Sequence, residues 1–245
     1  MKKICTAKPK SPSRERIQGI VFDVDGTLYV QSLLRMTMAA HFLGSVVAHP
    51  VRTARDAKIV SHYRRHQEVL RGRSTAVQDL RREQAAMTAA TSGFDVETVG
   101  KTVETWMENI PCRYMVLCRR PGLIGAFRSL KQKGYRIGIL SDYPSEGKLR
   151  ALGVRPFVDA VLCTSDPSVG RFKPHPHGFR SIARRLGVPA PQILYVGDRR
   201  NVDAAGALSA GMRTVLVPNG TPWRRGDGIP RCSIRRIPGY VEGIR

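Results

Sequence analysis

The stretch Ile17-Gln18-Gly19-Ile20-Val21-Phe22 followed by Asp23-Val24-Asp25-Gly26-Thr27-Leu28 decides how this chain is read. The first six residues have the length and near-continuous apolar character of a strand buried on both faces, and the run stops at a carboxylate. Four later runs look alike: Tyr135 to Leu140, Ala160 to Cys163, Ile193 to Val196 and Thr214 to Val217. Between most of them lie segments of helical length. Pro121 to Lys133 opens on Pro and stops before Gly134, His175 to Leu186 stops before Gly187, and Val202 to Ala210 stops before Gly211. Strands alternating with helices in this way predict βαβ units, a parallel sheet and an α/β fold.

One interval breaks the alternation. From Tyr29 to about Arg120 no strand is expected, and helices are predicted over Leu33 to Ala48, Arg52 to Leu70, Thr75 to Thr91 and Val96 to Glu108. Residues 30–120 are therefore expected to be a helical cap inserted after the first strand, standing over the crevice where open α/β sheets bind ligands. The core is then discontinuous, 17–29 and 121–218. A basic leader, 1–16, and a basic C-terminal tail, 219–245, are expected to be loose.

At 245 residues and 42% apolar, the chain can bury a substantial core. The stretch Leu33 to Val47 comes nearest to a membrane span but is broken by Arg35 and His41, so none is expected. The leader lacks the apolar segment of a secretory signal. Five cysteines (Cys5, Cys112, Cys118, Cys163 and Cys232) form no C-x-x-C pair, which suits reduced thiols without a role. Together these features predict a cytoplasmic protein. The formal charge of +22 is the outlier. It would draw phosphorylated metabolites, nucleic acid or an anionic surface alike, and so concerns encounter rather than reaction type.

The chemistry is carried by the polar residues that follow the strands. Asp23 and Asp25 follow the first, Ser141-Asp142 the second and Gly197-Asp198 the fourth, with Lys173 in the loop Arg171-Phe172-Lys173-Pro174. In a parallel sheet these strand ends share one edge. Carboxylates gathered there repel one another unless a hard cation neutralises them, and oxygen ligands suit Mg²⁺. Asp203, five residues after Asp198, is a further ligand or a support. Lys173, Thr27 and Ser141 supply a cation and hydroxyl donors for a dianionic group, which phosphate fits best.

These residues resemble the four motifs of the haloacid dehalogenase-like superfamily: Asp23 to Tyr29 as D-x-D-G-T-L, Ser141 after an apolar run, Lys173-Pro174-His175-Pro176 as K-P-x-P, and Gly197-Asp198 to Asp203 as G-D-x-x-x-x-D. The match spans about residues 17 to 217. It implies a Rossmann-like core with a C1-type helical cap and phosphoryl transfer through an aspartyl-phosphate. Asp23 would be the nucleophile, and Asp25 the acid and then the base. Mg²⁺ would be held by Asp23, Asp198 and the carbonyl of Asp25, with Asp203 in support. Thr27, Ser141 and Lys173 would hold the phosphoryl oxygens. Members that cleave carbon–halogen bonds lack a carboxylate at the place of Asp25, so dehalogenation is disfavoured.

The expected activity is that of a phosphatase acting on a small, soluble phosphomonoester. A phosphomutase on the same core is an alternative, as is a nucleic-acid or anionic-surface binding protein motivated by the charge; no nucleic-acid motif is present, and the aromatic content is 7%. Leu28 is followed by Tyr29-Val30-Gln31-Ser32 rather than by the acid usual in phosphoglycolate phosphatases, so that substrate is not assigned. His62 and His66, four apart, are read as an exposed basic helix rather than a metal pair. Arg71 and Arg73 are candidates to clamp a second anionic group, and Asp142 either touches substrate or caps a turn. The oligomeric state is left open.

Overall fold

The computed structural model describes residues 16–73, 77–219 and 228–244. Five parallel strands form one sheet: β1 (Gly19–Phe22), β2 (Arg136–Ser141), β3 (Ala160–Cys163), β4 (Ile193–Gly197) and β5 (Arg213–Leu216), in the order β3-β2-β1-β4-β5. All five are the apolar runs predicted, within a residue or two. Because β1 is central, with β2 on one side and β4 on the other, its C-terminal end lies where the chain changes direction across the sheet. Open α/β sheets bind ligands at such a point.

Between β1 and β2 stand six helices, α1 (Gln31–Ala48), α2 (Pro50–Arg71), α3 (Leu80–Ser92), α4 (Val96–Val103), α5 (Ile110–Cys118) and α6 (Leu123–Gln132), of which the first five fall in the interval without strands. The third was expected from Thr75. It starts instead at Leu80, because the Asp79 side chain accepts from the Arg82 amide and caps the first turn. The fourth was expected to stop at Glu108, but the chain runs on into α5 through a wide π-type turn over Glu104–Asn109. That widening accommodates Pro111, which lacks an amide hydrogen and would otherwise break a regular helix.

The sheet is covered on both faces. α6 (Leu123–Gln132) and α7 (Glu146–Ala151) belong to one side, where Phe22, Ile139, Val196, Phe127 and Leu149 share a core. α8 (Pro176–Leu186) and α9 (Ala205–Ser209) close the other, with Val21, Leu140, Tyr195, Phe179 and Ala207. A third cluster lies among α2, α3 and α4, where Ile59, Tyr63, Leu80 and Val99 pack with Tyr143 and Phe172 from the strand-end loops. The helical layer and the sheet therefore meet over the loops that follow β2 and β3.

The described part of the C-terminal segment is not a loose tail. The Leu216 amide donates to the Pro230 carbonyl and the Cys232 amide to that of Leu216, which lengthens the β5 edge. Ile234, Ile237 and Val241, the last two on α10 (Ile237–Gly243), are buried in the core beside α6. Apolar residues at that spacing bury one face of a short helix, a signal overshadowed in the sequence by Arg231, Arg235 and Arg236. Residues 1–15, 74–76, 220–227 and 245, including Cys5, lie outside the described residues. No described helix is long and apolar enough to cross a membrane.

Candidate active site

Asp23 continues β1 by one residue, its amide donating to the Val196 carbonyl at 2.9 Å. The chain must then turn at once, which Gly26 permits with φ +84°. A Cβ there would collide with the Asp198 carboxylate, so glycine is required both by conformation and by close approach. Gly197 is needed likewise, since its Cβ would overlap the Asp203 side chain. Arg120 Nη2 fixes the turn by donating to the Gly26 carbonyl at 2.7 Å.

The motif residues converge. Lys173 is 1% exposed, and its ammonium donates to Asp23 Oδ1 at 2.6 Å and Asp203 Oδ1 at 2.8 Å. Thr27 Oγ1 donates to Asp23 Oδ2 at 3.0 Å. Asp203 also accepts from the Tyr195 hydroxyl and from the amides of Asp198 and Arg199, so it organises the loop that carries Asp198. Ser141 is buried at the end of β2, where its Oγ accepts from the Tyr143 amide at 3.4 Å. It caps no helix, because α7 begins five residues later behind Ser145.

The electrostatics run short of positive charge. Burial pushes the Asp23 carboxyl up to about 8; Lys173 pulls the other way, while Asp203, Asp198 and Asp25 add to the rise. Asp198 is pushed up to about 6 by burial and by Asp203, although the Asn219 amide donates to its Oδ2 at 2.9 Å. Asp203 is held below the usual carboxylate range, the Lys173 charge and hydrogen bond outweighing burial. One carboxylate oxygen from each of Asp23, Asp198 and Asp203 can be chosen so that all three lie within 4.8 Å of one another, and Asp198 Oδ1 is buried without a hydrogen-bond partner. A hard divalent cation meets both needs: it neutralises the cluster and takes the orphaned oxygen.

The Asp25 side chain stands outside that cluster. Its Oδ1 accepts from Lys148 Nζ at 2.6 Å and from the Tyr29 hydroxyl at 2.6 Å. Burial raises its pKa, but the Lys148 charge, that hydrogen bond and the one from Tyr29 together bring the carboxyl below the usual range. Neither partner was picked out from the sequence. Tyr29 was noted only as a departure from a familiar pattern, yet at i+4 from Asp25 it is well placed to reach it across a tight turn. Lys148, seven residues after Ser141, follows no spacing rule; only the packing of α7 against α5 and the contact with Asp25 reveal it.

Three open readings acquire definite contacts. Asp142 does not simply cap a turn: its Oδ1 accepts from Thr164 Oγ1 and the Lys173 amide, and its Oδ2 from Arg71 Nη2 at 3.1 Å. Arg71 also donates to the Lys173 carbonyl at 2.8 Å, which ties α2 to the strand-end loops. Both Arg71 and Arg73 border a cleft of about 290 Å³ with Arg171 and His175. Arg73 is paired with Glu83, however, so neither arginine stands ready as an anion clamp. His62 and His66 both hydrogen-bond the Thr91 hydroxyl, at 3.0 and 2.9 Å, which links α2 to α3.

The family model described as haloacid dehalogenase-like hydrolase matches residues 17–211. A glyceraldehyde 3-phosphate phosphatase of Methanopyrus kandleri is 27% identical, covering 94% of this chain and 97% of its own length. A phosphoglycolate phosphatase of Shigella dysenteriae is 27% identical over 84% of this chain and 83% of its own. Among solved structures, the 2-haloacid dehalogenase of Pseudomonas syringae pv. Tomato DC3000 superposes with a TM-score of 0.64 over 94% of this chain and 100% of its own, at 22% identity. At that identity the likeness extends to the fold alone.

Proposed function

Since the chain belongs to the haloacid dehalogenase-like hydrolases, we propose that Asp23 attacks phosphorus and that the other residues of the crevice serve that attack. The protein is a phosphatase of small phosphomonoesters; the two relatives above carry names of that kind across nearly their whole length. The observation that carries the mechanism is the pairing of two carboxylates two residues apart in opposite surroundings. Asp23 is buried against Lys173, while Asp25 is half-buried between Lys148 and Tyr29.

Attack by an Asp23 oxygen forms an acyl phosphate as the ester P–O bond breaks, and the leaving oxygen takes a proton from Asp25. In the second half Asp25 removes a proton from water, which attacks phosphorus and frees Asp23 and inorganic phosphate. Lys148 and Tyr29 both occupy Oδ1 of Asp25, leaving Oδ2 to exchange the proton. The free enzyme therefore holds Asp25 ionised; the approach of a phosphate dianion raises its proton affinity, and Asp25 takes up from solvent the proton that it then passes to the leaving oxygen. Thr27, Ser141 and Lys173 orient the phosphoryl oxygens.

The donor set favours Mg²⁺ over softer metals, held by Asp23, Asp198 and the Asp25 carbonyl with Asp203 in support. When bound it would neutralise the carboxylates and the phosphoryl charge. Residues 30–120 act as the cap, with 17–29 and 121–218 as the core, and Arg71 on Asp142 holds the two together over the substrate. The unpaired thiols of Cys112, Cys118, Cys163 and Cys232 support a cytoplasmic location.

The test is a panel of phosphomonoesters headed by glyceraldehyde 3-phosphate and phosphoglycolate, assayed with Mg²⁺ on wild type and Asp23→Asn. Stoichiometric free phosphate from wild type and a loss of at least about 10³-fold in Asp23→Asn are expected. Turnover that persists in Asp23→Asn overturns the nucleophile. An isomeric phosphosugar without net phosphate release would point to a mutase instead.

A further inference from the structure

The outer face of α1 has no part in the chemistry above. From Met36 to Val51 there is no Lys, Arg, Asp or Glu, the longest uncharged run in a chain with 41 Lys and Arg. Inward, α1 fully buries only Leu34. Outward, Met36 is 68% exposed, Leu43 66% and Val47 86%, and Val51 at the start of α2 is 84% exposed. Met36, Ala40, Leu43 and Val47 follow the alternating four-and-three spacing of a helix–helix seam, here turned to solvent instead of to the core. Ala40 is exposed within the seam, and beside it Gly44 has no atom within 4 Å of where a Cβ would stand, so another backbone can approach closely. The neighbouring α5, joined to α1 through His41 Nδ1 and the Tyr114 hydroxyl at 2.9 Å, adds Val116 and Leu117, 60% and 68% exposed.

We propose that this face is the contact between two copies of the chain, related by a twofold axis, with α1 of one packed on α1 of the other. Charge selects that occupant. A protein at +22 repels its own copy over most of its surface. Along the α1 face from Met36 to Val51 two copies can meet with few like charges set against each other, Arg35 and Arg52 standing only at its ends. An anionic membrane would be gripped by a row of Lys and Arg along the border of the apolar residues, whereas this face has only Arg35 and Arg52 at its two ends and none between Met36 and Val51. An acidic partner would seat on the basic surface elsewhere. Residues 1–15 contain four lysines and few apolar side chains, a poor composition for covering the seam. At 18 residues α1 is about 27 Å long. Together with Val51, Val116 and Leu117 it extends toward the roughly 600 Å² per partner that a stable dimer needs.

The test is sedimentation velocity with light scattering on the full chain between about 1 and 100 µM, where a reversible dimer changes population. It is run at about 0.05 and 0.5 M salt on wild type, Leu43→Arg and Val47→Arg. Wild type is expected at twice 27.2 kDa, and tighter at high salt, because screening removes repulsion but leaves apolar burial intact. Both variants are expected to be monomers with unchanged circular dichroism and thermal midpoint, since neither side chain is in the core. A wild type that stays monomeric throughout overturns the proposal. So does a variant that still dimerises, or a dimer that weakens with salt. Binding of a monomeric wild type to phosphatidylcholine–phosphatidylserine vesicles that Leu43→Arg abolishes would assign the face to a membrane instead.

Discussion

The strand-end crevice and the helical layer above it use charge in opposite ways. In the crevice Asp23, Lys173 and Asp203 are all buried and satisfy one another within 2.6–2.8 Å. In the layer a pair such as Lys101–Glu97 is 74% and 77% exposed, though the two atoms lie equally close at 2.6 Å. Distance alone would rank these contacts together; burial separates them. An exposed pair contributes little, because water and salt screen it, whereas removing one partner of a buried set leaves an uncompensated charge and costs about 3–5 kcal/mol. The crevice is thus a charge arrangement built before substrate arrives, and the exposed pairs of the layer can change at little cost, unlike its buried Asp56 and Arg71.

The sharpest way to break this contrast is Lys173→Met. Asp23 and Asp203 would face each other in a buried site without their shared ammonium, so the metal-free protein should lose about 3–5 kcal/mol in urea unfolding and phosphatase activity should vanish. Lys101→Met should be indistinguishable from wild type in both assays. Equal losses from the two substitutions would show that burial does not divide the molecule in this way.

Next in size is Lys148→Met. Lys148 is buried and fixes the position of the Asp25 carboxyl, so its removal, although it also lifts the charge that keeps Asp25 ionised, should misplace the proton donor and lower kcat by about 10² on alkyl phosphomonoesters, whose leaving oxygen needs a proton. KM should change little. On p-nitrophenyl phosphate, whose leaving group departs without that proton, the loss should be roughly tenfold smaller. Lys148→Arg should recover part of the rate. A uniform loss on both substrates would assign Lys148 to packing alone.

A smaller effect belongs to the seam between the two regions. Arg71→Met removes the donors to Asp142 Oδ2 and the Lys173 carbonyl. A charge-assisted contact of about 1.5–3 kcal/mol made on closure corresponds to a rise in KM of roughly ten- to a hundredfold, with kcat less affected. Unchanged KM in a stably folded variant would mean that the layer sits over the crevice without help from this contact.

The same division decides what could be read from the sequence. The five strands were visible because burial on both faces demands continuous apolar runs. Asp23, Ser141 and Asp198 were visible because each follows a predicted strand, whereas Lys173 was singled out by its Pro-flanked loop and Asp203 by its spacing after Asp198. Lys148 and Arg120 were not, since a lysine on a short helix and an arginine after a helix end look alike whether they face solvent or the Asp25 carboxylate and the Gly26 carbonyl. α10 was missed for a related reason: Ile237 and Val241 are ordinary apolar residues until the β5 edge is lengthened by residues 230–232 and α6 offers a surface. The wide turn before Pro111 depends on helix geometry that no residue type announces.

Burial rather than membership of either region should govern the size of an electrostatic effect, and Asp159 tests this on the sheet side. Its carboxylate accepts from the Ile137 amide at 2.7 Å and from Lys131 Nζ at 2.7 and 2.9 Å, and its side chain is 22% exposed. It belongs to the core yet lies far toward the solvated end of the scale. Burial would raise its pKa, but the Lys131 and Ile137 hydrogen bonds bring it below the usual carboxylate value. A folded-state pKa that is depressed adds stability above the unfolded pKa of about 3.9, and that stability is lost as pH falls through the folded value. Asp159→Asn keeps an oxygen for the Ile137 amide and discards only the charge. The variant should therefore be less stable by about 1 kcal/mol at pH 7, and the gap should close as the pH drops toward about 3. Urea midpoints of the two proteins at both pH values measure it. A gap near that of Lys173→Met, or one that persists in acid, would mean that position on the sheet, and not desolvation, sets the cost.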